Sequence, residues 1–314
     1  MDKHWSEYLT LSLVHFMAFP ETMCGTGPIV ETICRAAEDG FFGGLEVGWN
    51  HDPALRRQVR ATLQSAHLPA RFGAQPALLS QKLDLNSSDP EMRARAVDQL
   101  KECVNQAAEL GLDNLSTVSG IDPGVEKRAE AMGWLADSLH QVCEHGRRSG
   151  VSITVETFDR DVDKHALLGP AAEAAEFSAL MRQDYADFGI MYDLSHLPLL
   201  GEQIRPALTT LQDHLVHAHV GNCVAVPGRE SFGDTHPRFG FPGSANDLNE
   251  LIEFLSALFE IGYLKKDGSG AKPWVGIEVK PQTGETTPQL LTCTKEAWTE
   301  AWLRLQVESK SGKG

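Results

Sequence analysis

The sequence predicts an α/β protein built as a closed (β/α)8 barrel, the TIM barrel. Eight short apolar segments alternate with amphipathic helical patterns along the 314 residues. Such alternation is typical of a parallel sheet with helices packed outside it, and eight units in a chain of this length fit one closed barrel. An open, doubly wound sheet is the alternative, but it normally carries a Gly-rich phosphate turn after its first strand. Residues 19–27 follow that strand here and contain no GxGxxG pattern.

The strand candidates are short runs of apolar and β-branched residues bounded by turn-forming residues. They cover residues 9–16, 44–49, 70–75, 114–118, 153–156, 189–193, 214–222 and 274–278. The seventh is the most informative, because His217 and His219 lie two apart and so point to the same face of a strand. Val216, Ala218 and Val220 occupy its other face. This strand therefore needs polar surroundings on one side only.

Helix signals separate these strands. Pro28 opens a helix that ends at Gly40, Asp89 caps a helix that starts at Pro90, and Thr287 caps the last one. Apolar residues at helical spacing indicate further helices over residues 55–63, 135–148, from 171 onward and over 248–258. We expect one barrel domain over residues 1–307 and a disordered tail over residues 308–314, because the tail is short, polar and glycine-containing.

Composition and charge limit the classes of protein that this chain can belong to. Hydrophobic residues make up 42% of the sequence, and the formal net charge is -15. That charge disfavours nucleic-acid binding, which depends on neutralising phosphates. No apolar run approaches the roughly 18 residues of a membrane span, and no signal-peptide pattern opens the chain. The six cysteines form no CxxC pair. We expect a reduced cytoplasmic protein with neither a nucleic-acid nor a membrane partner.

Four polar residues lie at or near the ends of strands five to eight. They are Glu156, Asp193, His219 and Glu278. Barrel active sites form where the strands end, with catalytic groups from several strands. Three buried carboxylates beside one imidazole would repel each other without a cation. The four residues therefore predict a divalent metal site, and an oxygen-rich ligand set with one nitrogen suits Mn²⁺ or Mg²⁺, with Co²⁺ as a third option.

Other polar residues near the strand ends are candidates for substrate binding. His196 follows Asp193 in a loop above the metal site, where it could contact substrate or carry a proton. His15, Glu46 and Gln75 lie on the first three strands and could line the same mouth, either as substrate ligands or as structural polar groups. His217 points one layer deeper and is interpreted as a core histidine or as a partner of a metal ligand.

Residues 221–246 form a long segment with almost no helical periodicity. Loops of this length in compact domains are usually functional or disordered. This one carries cationic and aromatic side chains between glycines and prolines, namely Arg229, Phe232, His236, Arg238 and Phe239. We interpret it as a lid over the metal, in which His236 and Arg238 contact substrate. The loop after strand five carries Lys164 among several aspartates and is expected to form the opposite wall.

The segments around these residues resemble the sugar isomerase/epimerase superfamily with the xylose-isomerase-like barrel. The similar segments are residues 155–158, 192–196, 217–222 and 276–280. The resemblance implies a ketose 3-epimerase type of site, in which Mn²⁺, Mg²⁺ or Co²⁺ is held by Glu, Asp, His and Glu in this order. It further implies that Glu156 and Glu278 transfer the protons and that His196 contacts the substrate.

The loop after strand seven departs from the epimerase pattern. Epimerases usually place an acidic residue and an arginine in a short loop, whereas residues 233–240 here belong to a longer one. That segment, with residues 161–164 and 219–223, is more similar to the metal-binding α subunit of bacterial C-glycoside deglycosidases. The resemblance implies elimination of an aglycone from a 3-oxo-glycoside, a small β-subunit partner and an oligomeric assembly. His236 and His196 would then supply the acid for the departing group.

Both resemblances share one elementary step, removal of a proton next to a keto group on a sugar. Elimination is the specific prediction for this chain, and epimerisation or isomerisation of a free keto-sugar is the alternative. A metal-dependent endonuclease on the same barrel is a third possibility. It needs additional metal-binding histidines and a basic groove, and the net charge argues against it.

Overall fold

The computed structural model describes residues 3–311, with side chains described through residue 306. Eight parallel strands close into a barrel in sequence order, so each strand pairs with its two neighbours along the chain and the last pairs with the first. The strands are β1 (Thr10–Val14), β2 (Gly44–Gly48), β3 (Ala70–Gly73), β4 (Asn114–Val118), β5 (Ser152–Glu156), β6 (Gly189–Asp193), β7 (Leu215–Gly221) and β8 (Trp274–Glu278). The predicted (β/α)8 barrel is confirmed.

Helices connect the strands and surround the barrel. They are α1 (His15–Ala18), α2 (Ile29–Glu38), α3 (Pro53–Ser65), α4 (Gln75–Gln81), α5 (Pro90–Leu110), α6 (Arg128–Ser149), α7 (Ala171–Met181), α8 (Leu197–Leu200), α9 (Ile204–Leu211), α10 (Leu248–Glu260) and α11 (Thr287–Ser311). Two short 3-10 helices, Trp5–Glu7 and Pro20–Thr22, lie near the start. Within the described residues, no helix has the length and apolar character needed to cross a membrane.

The helix ends follow the local sequence. The Asp89 carboxylate accepts a hydrogen bond from the Glu91 backbone N–H at 2.9 Å, and Pro90 occupies the first helical position of α5, as predicted. That helix ends at Gly111, whose left-handed backbone suits glycine. An analogous cap by Asp52 starts α3. These short-range signals therefore set where the helices enter and leave the barrel wall.

Two predicted strands are too long. Strand one was expected over residues 9–16, but β1 ends at Val14 and His15 begins α1. Strand three was expected over residues 70–75, but β3 ends at Gly73 and Gln75 begins α4, with Pro76 in its first turn. A proline near the first helical position favours the start of a helix there.

At the other end of the chain, α11 continues to Ser311, four residues into the predicted disordered tail, and residues 312–314 lie outside the described residues.

Alternation along the strands gives the barrel an apolar outer face and a partly polar interior. Outward side chains such as Leu13, Leu45 and Val155 pack against the helices and are fully buried. The polar inward side chains include Ser12 and Glu46, whose hydroxyl and carboxylate form a hydrogen bond of 2.7 Å. Part of the barrel core is therefore a polar network, and this network extends to the ends of β5 to β8.

Candidate metal centre

The four predicted metal ligands converge at the carboxyl end of the barrel. Glu156, Asp193 and Glu278 end β5, β6 and β8, and His219 lies near the end of β7. The strand register places Asp193 level with His219 and His219 level with Gly276. One ligand atom from each of the four residues lies within 4.8 Å of the others, and all four residues are buried. The parallel register thus brings together residues that are far apart in sequence.

His219 lies at the centre of this group, and both of its ring nitrogens face carboxylates. Its Nδ1 lies 2.7 Å from Glu278 Oε2, 3.7 Å from Glu156 Oε1 and 3.9 Å from Asp193 Oδ2. Its Nε2 lies 2.9 Å from Glu46 Oε2. A carboxylate on the far nitrogen of a histidine fixes the ring and makes the near nitrogen a stronger metal ligand. Glu46 has that relation to His219.

Two carboxylate oxygens in this group lack a hydrogen bond. Glu156 Oε1 and Asp193 Oδ2 are buried without a partner in the described part of the chain. Their sister oxygens are occupied, because Gln75 Nε2 donates to Glu156 Oε2 at 2.7 Å and the Ser195 backbone N–H donates to Asp193 Oδ1 at 2.6 Å. Leaving a buried carboxylate oxygen unpaired is costly unless a cation fills the space. The group therefore fits a divalent metal ion.

The two glutamates experience different electrostatic environments. Burial and the neighbouring Glu278 carboxylate raise the pKa of Glu156 to about 8. Burial also raises the pKa of Glu278, but the imidazoles of His236 and His219 outweigh it and lower that pKa to about 2. Burial and, after it, the crowding of like charges produce the first shift, and a bound cation would favour the ionised form of every carboxylate in the group.

Glu46 lies beneath the metal group and is a structural partner rather than a residue of the open mouth. Its carboxylate accepts from Ser12 Oγ and lies 3.0 Å from His217 Nε2 as well as 2.9 Å from His219 Nε2. His217 is thus a core histidine that shares a carboxylate with a predicted ligand, as interpreted from its position on the strand. Gly276, which the sequence analysis did not single out, leaves room for this arrangement. A Cβ there would lie 2.3 Å from Glu46 Oε1.

A second buried cluster lies above the first and centres on Asp234. Its Oδ1 lies 2.9 Å from His236 Nε2, and its Oδ2 lies 3.4 Å from His196 Nε2 and 3.1 Å from Lys164 Nζ. His236 Nε2 in turn lies 3.8 Å from Glu278 Oε1. Sequence reasoning selected His196, His236 and Lys164 but missed Asp234. Its spacing to His236 in an irregular loop, two residues apart, was the only available signal.

The histidines of this second cluster have elevated proton affinity. Burial lowers the pKa of His196, but the Asp234 carboxylate outweighs it and raises that pKa to about 10. The same balance raises the pKa of His236 to about 9. His196, Asp234 and His236 lie close enough together to hold an ion of their own. The Lys164 ammonium beside Asp234 already supplies a positive charge there, which disfavours a second cation.

Three predicted substrate ligands lie elsewhere. The His15 ring faces α2, where its Nε2 lies 2.8 Å from Thr32 Oγ1, because the chain turns into α1 immediately after β1. Arg238 Nε donates to Glu285 Oε1 at 2.8 Å. Phe239 is buried in the hydrophobic core. The placement of His15 corrects the expectation that it lines the mouth, and neither Arg238 nor Phe239 belongs to the two clusters described above.

The fold and these clusters define a class: a (β/α)8 barrel with three carboxylates and an imidazole gathered at the ends of its last four strands. Residues 34–294 match the xylose isomerase-like TIM barrel family, and the chain belongs to that family. No protein with a curated description matches it in sequence. The family match confirms the resemblance to this superfamily, whereas the narrower resemblance to deglycosidase subunits stays a prediction.

Solved structures of sugar epimerases share this fold. D-psicose 3-epimerase from Clostridium cellulolyticum H10, crystallised with D-tagatose, is 18% identical in sequence. The match covers 95% of this chain and 99% of the epimerase chain, with a TM-score of 0.67. A D-tagatose 3-epimerase-like protein is 15% identical with coverages of 96% and 100% and a TM-score of 0.72. The 3-keto-D-glucoside 4-epimerase from E. coli is 15% identical with coverages of 94% and 99% and a TM-score of 0.64. At these identities the likeness concerns the fold.

Proposed function

We propose that this chain is a divalent-metal-dependent enzyme that removes a proton from the carbon next to a keto group of a sugar and returns it to give an epimer or isomer. The observation that carries the proposal is the pair of unpartnered oxygens on Glu156 and Asp193 around His219 Nδ1. The similar solved structures include a ketose 3-epimerase and a keto-glucoside 4-epimerase, which supports the same reaction type.

A divalent ion in this group would polarise the keto oxygen and stabilise the negative charge that forms when the proton leaves. The chain's own residues supply the proton transfer. Glu156 and Glu278 approach from β5 and β8, three strands apart, so they can reach opposite faces of a sugar held between them. One carboxylate then removes the proton and the other returns it, which inverts the carbon.

The Asp234 cluster supports proton handling at the mouth. His196 donates through Nδ1 to the Thr157 carbonyl at 2.6 Å, which leaves Nε2 facing Asp234. His236 Nε2 lies 2.9 Å from Asp234 Oδ1 and 3.8 Å from Glu278 Oε1. We assign both histidines to substrate hydroxyls, where an imidazolium can donate a hydrogen bond or a proton.

Elimination is the second candidate. It is favoured by His236, whose Nε2 lies 3.8 Å from Glu278 Oε1 and could protonate a departing group. If the carbon beyond the enolate bears a leaving group, the electron pair expels that group instead of taking back the proton. The departing aglycone then takes a proton from His236 or His196. This reaction is that of the C-glycoside deglycosidase α subunits, with their small β subunit and oligomeric assembly. Mn²⁺ is the ion that we propose for either reaction, with Mg²⁺ or Co²⁺ as replacements.

One experiment separates these reactions. The protein, loaded with Mn²⁺, is incubated in D₂O with a free ketose and with a 3-oxo-glucoside, and the products are followed by NMR. Solvent deuterium at an inverted carbon, without aglycone release, supports the epimerase. Aglycone release supports elimination. Absence of both deuterium exchange and aglycone release in every sugar, with Mn²⁺ bound to the protein, would contradict the proposed function.

A further inference from the structure

An apolar cleft of about 410 Å³ opens beside the mouth of the barrel. It lies between α4, the end of β4 and the loop after β5. Its apolar wall comprises Leu79, Leu83, Met92, Val118, Ile121 and Phe158. Small-ligand sites are commonly about 300–1,000 Å³ and mainly apolar. The size and lining of this cleft are therefore those of a ligand subsite, and none of the four candidate metal ligands lines it.

Three polar side chains in the wall of the cleft, those of Asp84, Ser119 and Lys164, are already bonded to protein. Asp84 accepts hydrogen bonds from the backbone N–H groups of Asn86 at 2.8 Å and Ile121 at 3.4 Å. The Ser119 hydroxyl accepts from the Leu168 backbone N–H at 3.0 Å. Lys164 bonds Asp163 and Asp234. What the cleft offers a ligand is mainly carbon surface, so a sugar ring with its many hydroxyls does not match it.

The cleft shares two wall residues with the cluster around Asp234. Phe158 lies in its wall, and the ring of Phe158 packs on the ring of His196 with centroids 4.4 Å apart. Lys164 lies in the same wall and bonds Asp234, which holds His196 and His236. A group in the cleft would therefore lie one side chain away from the histidines beside the metal. The cleft is thus placed to receive a substituent of a sugar that is bound at the metal centre.

We propose that this cleft binds an apolar substituent of the sugar substrate, so that the enzyme acts on keto-glycosides with a hydrophobic, ring-sized aglycone in preference to unsubstituted keto-sugars. The proposal rests on the proposed function, which places the keto-sugar at the metal. Leu79 and Ile121 form the outer rim and are 45% and 54% exposed. Burial of such residues by a bound apolar group is the source of the preference.

The test compares two substrates that differ only in the aglycone, phenyl 3-oxo-glucoside and methyl 3-oxo-glucoside. The wild-type protein should show a higher kcat/KM for deuterium exchange with the phenyl compound by about 10-fold or more, because pocket contacts of this size discriminate to that degree. Leu79→Ser and Ile121→Ser should remove most of that preference. Leu303→Ser, at a leucine on α11 that is 52% exposed, is the matched control.

A binding measurement separates failure of this proposal from failure of the proposed function. Umbelliferone, an apolar bicyclic probe without a sugar, is titrated into the protein and followed by its fluorescence. Wild type and Leu303→Ser should bind it with equal affinity, and both cleft variants should bind it about 10-fold or more weakly. Equal binding by all four proteins, or equal kcat/KM for both glucosides in the wild type, would overturn the cleft assignment. If no sugar exchanges deuterium or releases its aglycone, the proposed function is wrong, and the probe titration still decides whether the cleft is a binding site.

Discussion

Replacing Glu46 with Gln tests whether the polar network under the metal centre controls metal binding. The Glu46 carboxylate serves three groups: Ser12 Oγ at 2.7 Å, His217 Nε2 at 3.0 Å and His219 Nε2 at 2.9 Å. A glutamine has almost the same shape but only one accepting oxygen and no charge. One of the two imidazoles must then lose its acceptor or change its tautomer. His219 would present a weaker Nδ1 to the metal.

The size of the effect follows from the bond that is lost. Partners of metal ligands typically contribute 10–100-fold to metal affinity, which is roughly 1.4–2.7 kcal/mol. At a Mn²⁺ concentration of about 100 times the wild-type Kd, the metal adds about 2.7 kcal/mol to the free energy of unfolding. For Glu46→Gln the same concentration should add only about 0.4–1.4 kcal/mol, because the Kd is higher.

Two measurements check this prediction. Calorimetric titration with Mn²⁺ gives the Kd, and denaturant unfolding with and without Mn²⁺ gives the stabilisation. Glu31→Gln is the matched control, because Glu31 pairs only with Arg35 on an exposed face of α2 in the described contacts. If Glu46→Gln folds and binds Mn²⁺ as tightly as the wild type, Glu46 does not support His219 as a ligand, and the reasoning is wrong.

Three further predictions concern single residues. Asp193→Asn should lose bound Mn²⁺ as measured by elemental analysis, since an amide is a poor substitute for a metal-binding carboxylate; full metal content would count against the site. Gly276→Ala should lower the free energy of unfolding by about 1–3 kcal/mol, because its Cβ would lie 2.7 Å from His219 Cδ2, whereas Gly133→Ala, with open space around it, should not. Burial lowers the pKa of His15 from 6.5 to about 3, so between these values the unfolded chain binds the extra proton. Stability should therefore fall as pH drops from 6.5 to 3, by up to about 4 kcal/mol, and a His15→Gln variant that unfolds with the same pH dependence would contradict this.

The sequence was sufficient for the barrel and for the four metal-ligand candidates because both depend on short-range patterns. The parity of residues along a strand showed that His219 shares a face with His217, and each carboxylate ligand marks the point where its strand ends. In a closed parallel barrel those ends all lie on one face. Residues separated by more than a hundred positions could thus be placed together without knowledge of their contacts.

Residues outside that regularity were placed less well. His15 and Gln75 follow strands that end earlier than the apolar pattern suggests, and a shift into helix at that point turns the side chain to a different direction. Gln75 still reaches the site, through Glu156, whereas His15 faces α2. Asp234 and Arg238 lie in a loop whose path is set by tertiary contacts with Asp163 and Glu285. Local sequence contains no information about those contacts.

The position of Gly276 shows how the site and the barrel core constrain each other. A parallel barrel strand is normally rich in bulky β-branched residues, and Val275 and Ile277 follow that rule on the outward face of β8. The inward position between them cannot, because the carboxylate of Glu46 and the ring of His219 occupy the space that a side chain would need. The buried network under the metal therefore limits what the eighth strand can contain. A glycine weakens a strand by itself, but at this position it permits His219 to face both Glu46 and the carboxylates.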